Sequence, residues 1–600
     1  MFQSFENRAD PSQGKTRLME LRNRMTKENV VGFLVPRADA HQGEYCAPHD
    51  ERLSWLTGFT GSAGFAAVLK DSAGVFIDGR YRTQVKEQVD LAVFTPVPWP
   101  ETALKDWLAQ ELPQGGIIAY DPWLHVASEI EDLEASLAQK GFSFRASPNL
   151  VDKIWPDQPA PPLGPIAPYP EALAGEAHAS KRARLAKALR ATGQSAVVIT
   201  LPDSIAWLLN IRGSDIPRNP VPHAFAILYE TGHVTLFADP KKIDDMLRAH
   251  LGPEIKLRPT SALEPTLHSL QGTVRVDRKT APIKVAQELA EGSAILSWGD
   301  DPCILPKACK TSAEIEGTQE AHLRDAAAVV EFLTWFDAQP IGSLTEIDVV
   351  KRLEEARYAT NDLLDISFET IAGTGPHGAI MHYRVTEETN APLKEGQLLV
   401  LDSGGQYIDG TTDITRTLPI GAVGTEEKRC FTRVLQGMIA ISRLRFPKGL
   451  AGRDLDAIAR YPLWLAGQDF NHGTGHGVGV YLCVHEGPQR LSRVSDVPLQ
   501  AGMILSNEPG YYREGAFGIR LENLIVVQDA RTLEGADPRP MFDFLTLTYV
   551  PIARALICAE MLSLDERNWL NLYHKACYEN IAPRLSPEAQ VWLSHATQDI

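Results

Sequence analysis

The sequence predicts a mixed α/β and α+β protein: two related α/β domains, a strand-rich third domain and a helical tail. Three observations carry that prediction. The 600 residues exceed what one hydrophobic core organises and make about three or four domains. Helix–strand units of the N-terminal part recur after residue 170. Between the copies, residues 157–170 hold six prolines, which make a stiff, exposed connector.

The elements follow in order. Leu18, Leu21 and Met25 share one face of a helix over 17–26, and residues 30–36 read as a buried strand. An irregular stretch, DAHQGEY (39–45), precedes a helix-like ERLSWLTGF (51–59). FAAVL (65–69) and GVFIDGRY (74–81) read as strands, the second closing on an Asp-Gly turn signal. In the second copy a helix from Lys181 precedes SAVVITLP, DSIAWLLNIRGS, HAFAILYE and HVTLFAD. Trp55–Ser62 (WLTGFTGS) aligns with Trp207–Ser214 (WLLNIRGS), and the first copy carries the longer insertion around DAHQGEY. The expected domains are 1–156, 171–309 and 310–600. Thr311–Glu314 (TSAE) is a capping box opening a long helix through Trp335; Ser563–Glu566 (SLDE) is another, inside a helical extension over 555–600. Gly14-Lys15-Thr16 imitates a phosphate loop, but position 9 is Ala where that loop needs glycine.

Composition narrows the function classes. Apolar content of 44% and charged content of 22% are those of an ordinary globular protein. The net charge of −17 disfavours nucleic-acid and anionic-membrane partners. The N-terminus has no apolar core of a signal peptide, and no window approaches a membrane span. Seven scattered cysteines without a CxxC pair point to a reducing, cytoplasmic location. Cys483 reads as a buried structural thiol.

The informative stretch runs from Ile380 to Asn523. It contains MHY, LDSGGQY, TTDITRT, FNHGTGHGVG, VHEGP, SNEPGYY and GIRLEN. Five residues of metal-ligand type lie in it: Asp402, Asp413, His476, Glu508 and Glu522, with His382, His472 and His485 among them. Singly, each has an ordinary structural explanation; together, hard oxygens with one imidazole suit Mn²⁺, Co²⁺, Fe²⁺ or Zn²⁺. Four carboxylates nearly neutralise two divalent cations, whereas one cation leaves buried negative charge, so the set favours a pair. His472 and His476 have the i, i+4 spacing of a zinc helix, but the glycines around them argue against a helix. Leu398–Leu401 reads as a buried strand delivering Asp402, and Asp409-Gly410 is a hairpin signal. That turn sets Asp413 opposite Gln406, so the two aspartates meet only if the strand bends at Gly404-Gly405.

In these motifs the chain resembles the pita-bread metallopeptidases, and within them the three-domain cytosolic aminopeptidase P branch best. The resemblance covers most of the chain. It implies two creatinase-N-like α/β domains before a pita-bread domain, an antiparallel sheet curved around a central site with helices outside. It implies a metal-dependent, cytoplasmic enzyme that hydrolyses the Xaa-Pro bond at the N-terminus of peptides with proline at position two. Asp402 and Asp413 would hold one metal, His476 and Glu508 the other, with Asp413 and Glu522 bridging both. The metals would be two divalent ions, Mn²⁺ before Zn²⁺ or Co²⁺, with a hydroxide between them and Glu508 as general base. His382 and His485 would bind substrate or stabilise the oxyanion, His485 relaying a proton to the leaving nitrogen. His472 would line the pocket beyond the scissile bond. Arg520 and Tyr512 match residues that support the site, although Tyr512 could equally be packing. The C-terminal extension would help build a homodimer or pack on its own subunit. Two rivals stay open: a prolidase, which has one N-terminal domain where this chain has two, and metal-free or creatinase-like relatives, which lack the ligand set kept here.

Overall fold

The structure is a computed structural model and describes residues 1–600. The chain forms two compact units: Arg8–Glu171 with Glu176–Ile304, and Met1–Asn7 with Ala172–Gly175 and Leu305–Ile600.

The first unit contains the repeat. Its first sheet comprises β1 (Gly32–Pro36), β2 (Phe65–Leu69), β3 (Ala73–Ile77), β4 (Thr95–Pro98), β5 (Gly116–Tyr120) and β6 (Phe142–Ala146), in the order β4-β3-β2-β1-β5-β6. Its second comprises β7 (Ala196–Ile199), β8 (Phe225–Tyr229), β9 (Val234–Phe237), β10 (Ile255–Arg258), β11 (Thr273–Val276) and β12 (Ile295–Trp298), in the matching order β10-β9-β8-β7-β11-β12. Each central strand is antiparallel to one neighbour and parallel to the other: β1 to β2 and β5, β7 to β8 and β11. Helix α1 (Gly14–Lys27) buries Leu18, Leu21 and Met25 as their spacing predicts. The aligned segments end their helices alike. After α2 (Arg52–Thr57), Gly58 takes φ +87°; after α4 (Pro202–Leu209), which follows α3 (His178–Ala191), Asn210 takes φ +49°. Both are left-handed caps, a position that glycine and asparagine tolerate best.

In the second unit, α5 (Ser312–Asp337) opens on the expected capping box at Thr311 and Glu314. Helix α6 (Glu346–Tyr358) packs beside it, burying Val349, Val350 and Leu353 with Val330 and Phe332. Three antiparallel strands, β13 (Ile371–Thr374), β14 (Leu398–Ser403) and β15 (Ile414–Pro419), form one sheet in the order β13-β14-β15. A second sheet contains β16 (Gly475–Gly477), β17 (Glu486–Leu491), β18 (Ile504–Asn507), β20 (Asn523–Asp529) and β21 (Met541–Thr546); the short β19 (Phe517–Arg520) lies between β18 and β20 in sequence. Helix α7 (Gly452–Trp464) packs on β17, and α8 (Leu564–Ile581) opens on the second capping box. The N-terminal heptapeptide belongs here. Gln3 exchanges hydrogen bonds with the backbone of Thr370, and Phe5 enters the core around α5 and α6.

Candidate metal centre

Asp402 ends an apolar run on β14, and Asp413 immediately precedes β15. The ladder pairs Asp402 with Thr415 and Ser403 with Ile414, and beyond the glycines Gln406 with Thr411 and Tyr407 with Gly410. The turn is therefore Ile408-Asp409, and the expected register of Asp413 against Gln406 is off by two. In the observed register Asp413 falls on the face of Asp402, as its diagonal neighbour. The physical reason lies outside the hairpin. Arg324 of α5 clamps both carboxylate oxygens of Asp409 at 3.1 Å, so tertiary pairing overrides the Asp-Gly signal. Gly404 allows the close crossing: a Cβ there would lie 1.9 Å from the Thr412 carbonyl oxygen. Behind the hairpin, buried Asp325 accepts from Tyr407, Thr412 and Arg357.

Glu522 reaches the same face from the turn between β19 and β20. Its amide donates to the Thr415 carbonyl at 3.1 Å, and Thr415 Oγ1 donates to its Oε2 at 2.8 Å. His476 and Glu508 come from the other sheet. His476 lies in strand β16, not on a helix. Gly475 and Gly477 let β16 approach its neighbours, because a Cβ at either would lie within 2.3 Å of a backbone oxygen. Ser506 ties the pair: it accepts from the His476 amide at 2.9 Å and donates to Glu508 Oε1 at 3.1 Å. His476 Nδ1 donates to the Gly477 carbonyl at 2.9 Å, which leaves the Nε2 lone pair facing inward. That Nε2 lies 3.4 Å from Asp413 Oδ2 and 3.5 Å from Glu508 Oε1. Ligand atoms of Asp413, His476 and Glu522 all lie within 4.8 Å of one another.

Arg520, Tyr512, His472 and His485 are linked to this cluster by side-chain contacts, and His382 is placed near it by its chain neighbour. Arg520 Nη2 donates to Asp402 Oδ2 at 2.6 Å, and its Nη1 donates to Tyr512 Oη at 2.7 Å. Tyr512 in turn bonds His472 Nε2 at 2.9 Å; since His472 Nδ1 donates to the Gly473 carbonyl, the phenol is the donor. Tyr512 is thus a hydrogen-bonding link rather than packing alone. The His485 ring stands edge-on to His476 with centroids 4.3 Å apart. His382 follows Met381, whose carbonyl accepts from Arg520 Nη1 at 3.3 Å. Thr415, Ser506 and Asp325 escaped the sequence reading. Thr415 lay in plain view within TTDITRT, whereas nothing in the sequence marks Asp325 on its helix.

The electrostatics of the cluster call for positive charge. Burial, with Asp402 and Glu508 beside it, pushes the Asp413 carboxyl well above its ordinary value. Burial and Asp413 do the same to Glu522, and burial raises Glu508. Burial pushes the Tyr512 phenol up to about 12, with Arg520 opposing. Asp402 Oδ1 is buried without a hydrogen-bond partner, and the inward lone pair of His476 confronts two acceptor oxygens. A cation answers all three observations. The donors are oxygens and one imidazole nitrogen with no thiolate, a set that fits divalent ions of the Mn²⁺–Zn²⁺ range.

Comparison with known proteins agrees. Residues 316–529 match the profile of metallopeptidase family M24, and 540–600 that of the C-terminal region of peptidase M24. Residues 17–154 and 157–314 each match a profile of the creatinase/prolidase N-terminal domain. The chain is 39% identical to aminopeptidase P2 of Arabidopsis thaliana, over 96% of this chain and 87% of that protein. It is 37% identical to the probable Xaa-Pro aminopeptidase P of Coccidioides posadasii, over 100% of this chain and 95% of that one. Among solved structures it superposes on X-prolyl aminopeptidase from Caenorhabditis elegans with a TM-score of 0.93, 31% identity and coverage of 98% and 100%. That protein is described as a cytosolic enzyme with a di-nuclear active site. Full-length similarity at this level, with two creatinase-type domains ahead of a peptidase domain, means that the chain belongs to metallopeptidase family M24, among its aminopeptidase P members.

Proposed function

We propose that this metallopeptidase removes the first residue from peptides with proline at position two, using two divalent metals, most simply Mn²⁺, with a bridging hydroxide as nucleophile. The observation that carries the reading is the convergence of Asp402, Asp413, His476, Glu508 and Glu522 on one buried cluster short of positive charge. Asp402 and Asp413 would hold one ion, His476 and Glu508 the other, with Asp413 and Glu522 shared between them. When bound, the ions activate a water near neutral pH and polarise the scissile carbonyl.

The chain's own residues do the rest. Arg520 holds Asp402 and, through Tyr512, orients His472 toward the pocket beyond the scissile bond. Arg520 also adds a buried positive charge that a count of ligands omits, which leaves room for one anionic nucleophile between two ions. Glu508, steadied by Ser506, takes the proton of the attacking water. His485, against His476, delivers a proton to the prolyl nitrogen, and His382 binds the substrate carbonyl region. Proton delivery matters because a prolyl nitrogen leaves poorly unprotonated. Proline selectivity follows from its fixed φ and missing N–H, which a pocket without an acceptor to satisfy accommodates.

We keep divisions at 1–156, 171–309 and 310–600, with 555–600 as extension, beside matched regions that run over 17–154, 157–314, 316–529 and 540–600. A cytoplasmic homodimer acting on peptides completes the proposal; no helix is long and apolar enough to cross a membrane. The test is peptide choice after Mn²⁺ loading. Release of Ala from Ala-Pro-Ala is expected, with Ala-Ala-Ala inert. Cleavage of the dipeptide Ala-Pro alone would make the chain a prolidase, and no cleavage of either would revive the metal-free or creatinase-like relatives as the better reading.

A further inference from the structure

We infer that the C-terminal region is part of the framework of the metal centre, with Arg416 and Tyr573 as positioning residues for Glu522. The inference rests on the reading above in one respect, that Glu522 is a metal ligand. Arg416 follows Thr415 on β15 and is 2% exposed. Its guanidinium donates to six oxygens: the carbonyls of Thr415 (2.8 Å), Glu522 (2.6 Å), Val550 (2.7 Å) and Pro551 (3.3 Å), Asn523 Oδ1 (2.8 Å) and Tyr573 Oη (2.9 Å). Every acceptor is neutral. A buried guanidinium is costly unless its hydrogen bonds are filled, and here no carboxylate among its partners neutralises it. It holds instead the backbone carbonyl of Glu522, one of the four carboxylate residues of the cluster.

Tyr573 completes that shell from α8, in the region matched by the C-terminal profile. Its phenol accepts from Arg416 and donates to the Val550 carbonyl at 2.8 Å. The ring stacks on Trp569 with centroids 5.2 Å apart, so a phenylalanine there keeps its packing. At the next residue of α8, His574 Nε2 accepts from the Ile552 amide at 3.1 Å and pins the helix to the segment that carries Val550 and Pro551. Glu522 is thus fixed at three points: its amide and Oε2 by Thr415, and its carbonyl by Arg416. One guanidinium separates the C-terminal helix from a residue that would bridge both ions. Partners that orient a ligand from behind contribute about 10- to 100-fold to metal affinity.

The test is calorimetric titration of Mn²⁺ into the full-length, chelator-stripped chain. Tyr573→Phe is expected to raise the Mn²⁺ Kd about tenfold and Arg416→Lys about 100-fold. Tyr573→Phe should keep the wild-type far-ultraviolet circular dichroism. Leu572→Ala, exposed on the same helix, should keep wild-type affinity. Wild-type affinity in Tyr573→Phe, or an equal loss in Leu572→Ala, overturns the inference. The Ala-Pro-Ala assay separates the two claims: wild-type protein that binds Mn²⁺ but releases no Ala defeats the substrate reading alone, whereas wild-type protein that binds no Mn²⁺ defeats both.

Discussion

Gly404→Ala tests the geometry on which the metal centre depends. A Cβ at 404 would stand 1.9 Å from the Thr412 carbonyl oxygen and 2.2 Å from Ser367 Oγ. Ordinary contact begins at 3.4 Å, so the two strands must part by about 1.5 Å. Backbone cannot swing aside as a flexible side chain can. Two hydrogen bonds between Gly405 and Thr412, at 2.8 and 2.9 Å, stretch or break, at about 1 kcal/mol each. Overpacking adds about 1–3 kcal/mol, for a total of about 3–5 kcal/mol against the native hairpin. Asp402 and Asp413 flank this point, so the opening separates them. If half of that energy falls on metal binding, Mn²⁺ affinity drops about 10- to 60-fold, at about 1.4 kcal/mol per decade. Thermal unfolding of the metal-free chain and a Mn²⁺ titration would measure the two parts. Wild-type values in both would refute the claim that this crossing brings the aspartates together.

Other expectations follow from the same geometry. Asp413→Asn keeps the shape but removes a bridging charge; Ala release from Ala-Pro-Ala should fall by more than 100-fold with circular dichroism unchanged, and retained turnover would count against bridging. Tyr512→Phe removes the donor to His472 Nε2 and one of the two acceptors of Arg520 Nη1, a deficit of about 1–3 kcal/mol; kcat/KM for Ala-Pro-Ala should drop about tenfold or more. The folded chain holds protons on Asp413 and Glu522 above their ordinary 3.8 and 4.5, so without metal its stability should decline as pH rises past those values. Mn²⁺ displaces those protons, so its effect on the melting temperature should grow from pH 5 to 8; a constant effect would contradict the carboxylate cluster. At the acid end, burial holds His574 neutral down to about 3, where its ordinary value is 6.5. The unfolded chain then takes up the proton first, so below pH 6.5 His574 subtracts about 1.4 kcal/mol of stability per unit, against the opposite slope of the two carboxylates; His574→Gln should lose that component, and an acid limb identical in wild type and variant would contradict that burial.

Much of this was legible in the residues, because local rules decided it. The face of Leu18, Leu21 and Met25, both capping boxes and the duplicated α/β sheet all obey short-range patterns that the structure repeats. The glycines around His476 excluded a helix for the reason seen in space: strand backbones pass too close for a side chain. What escaped depended on distant partners. The hairpin turned one residue early because Arg324, some 85 residues away in sequence, holds Asp409. Met1–Asn7 joined the second unit through Phe5 and Gln3, which no periodicity in a heptapeptide can announce. Arg416 read as one letter of TTDITRT, and only its surroundings show a cation bound by six neutral oxygens.

The most direct test of the dinuclear centre is anomalous diffraction from a crystal grown with Mn²⁺. Two peaks enclosed by Asp402, Asp413, His476, Glu508 and Glu522 are expected, with Asp413 and Glu522 touching both. A single peak, or peaks away from these side chains, would contradict the account.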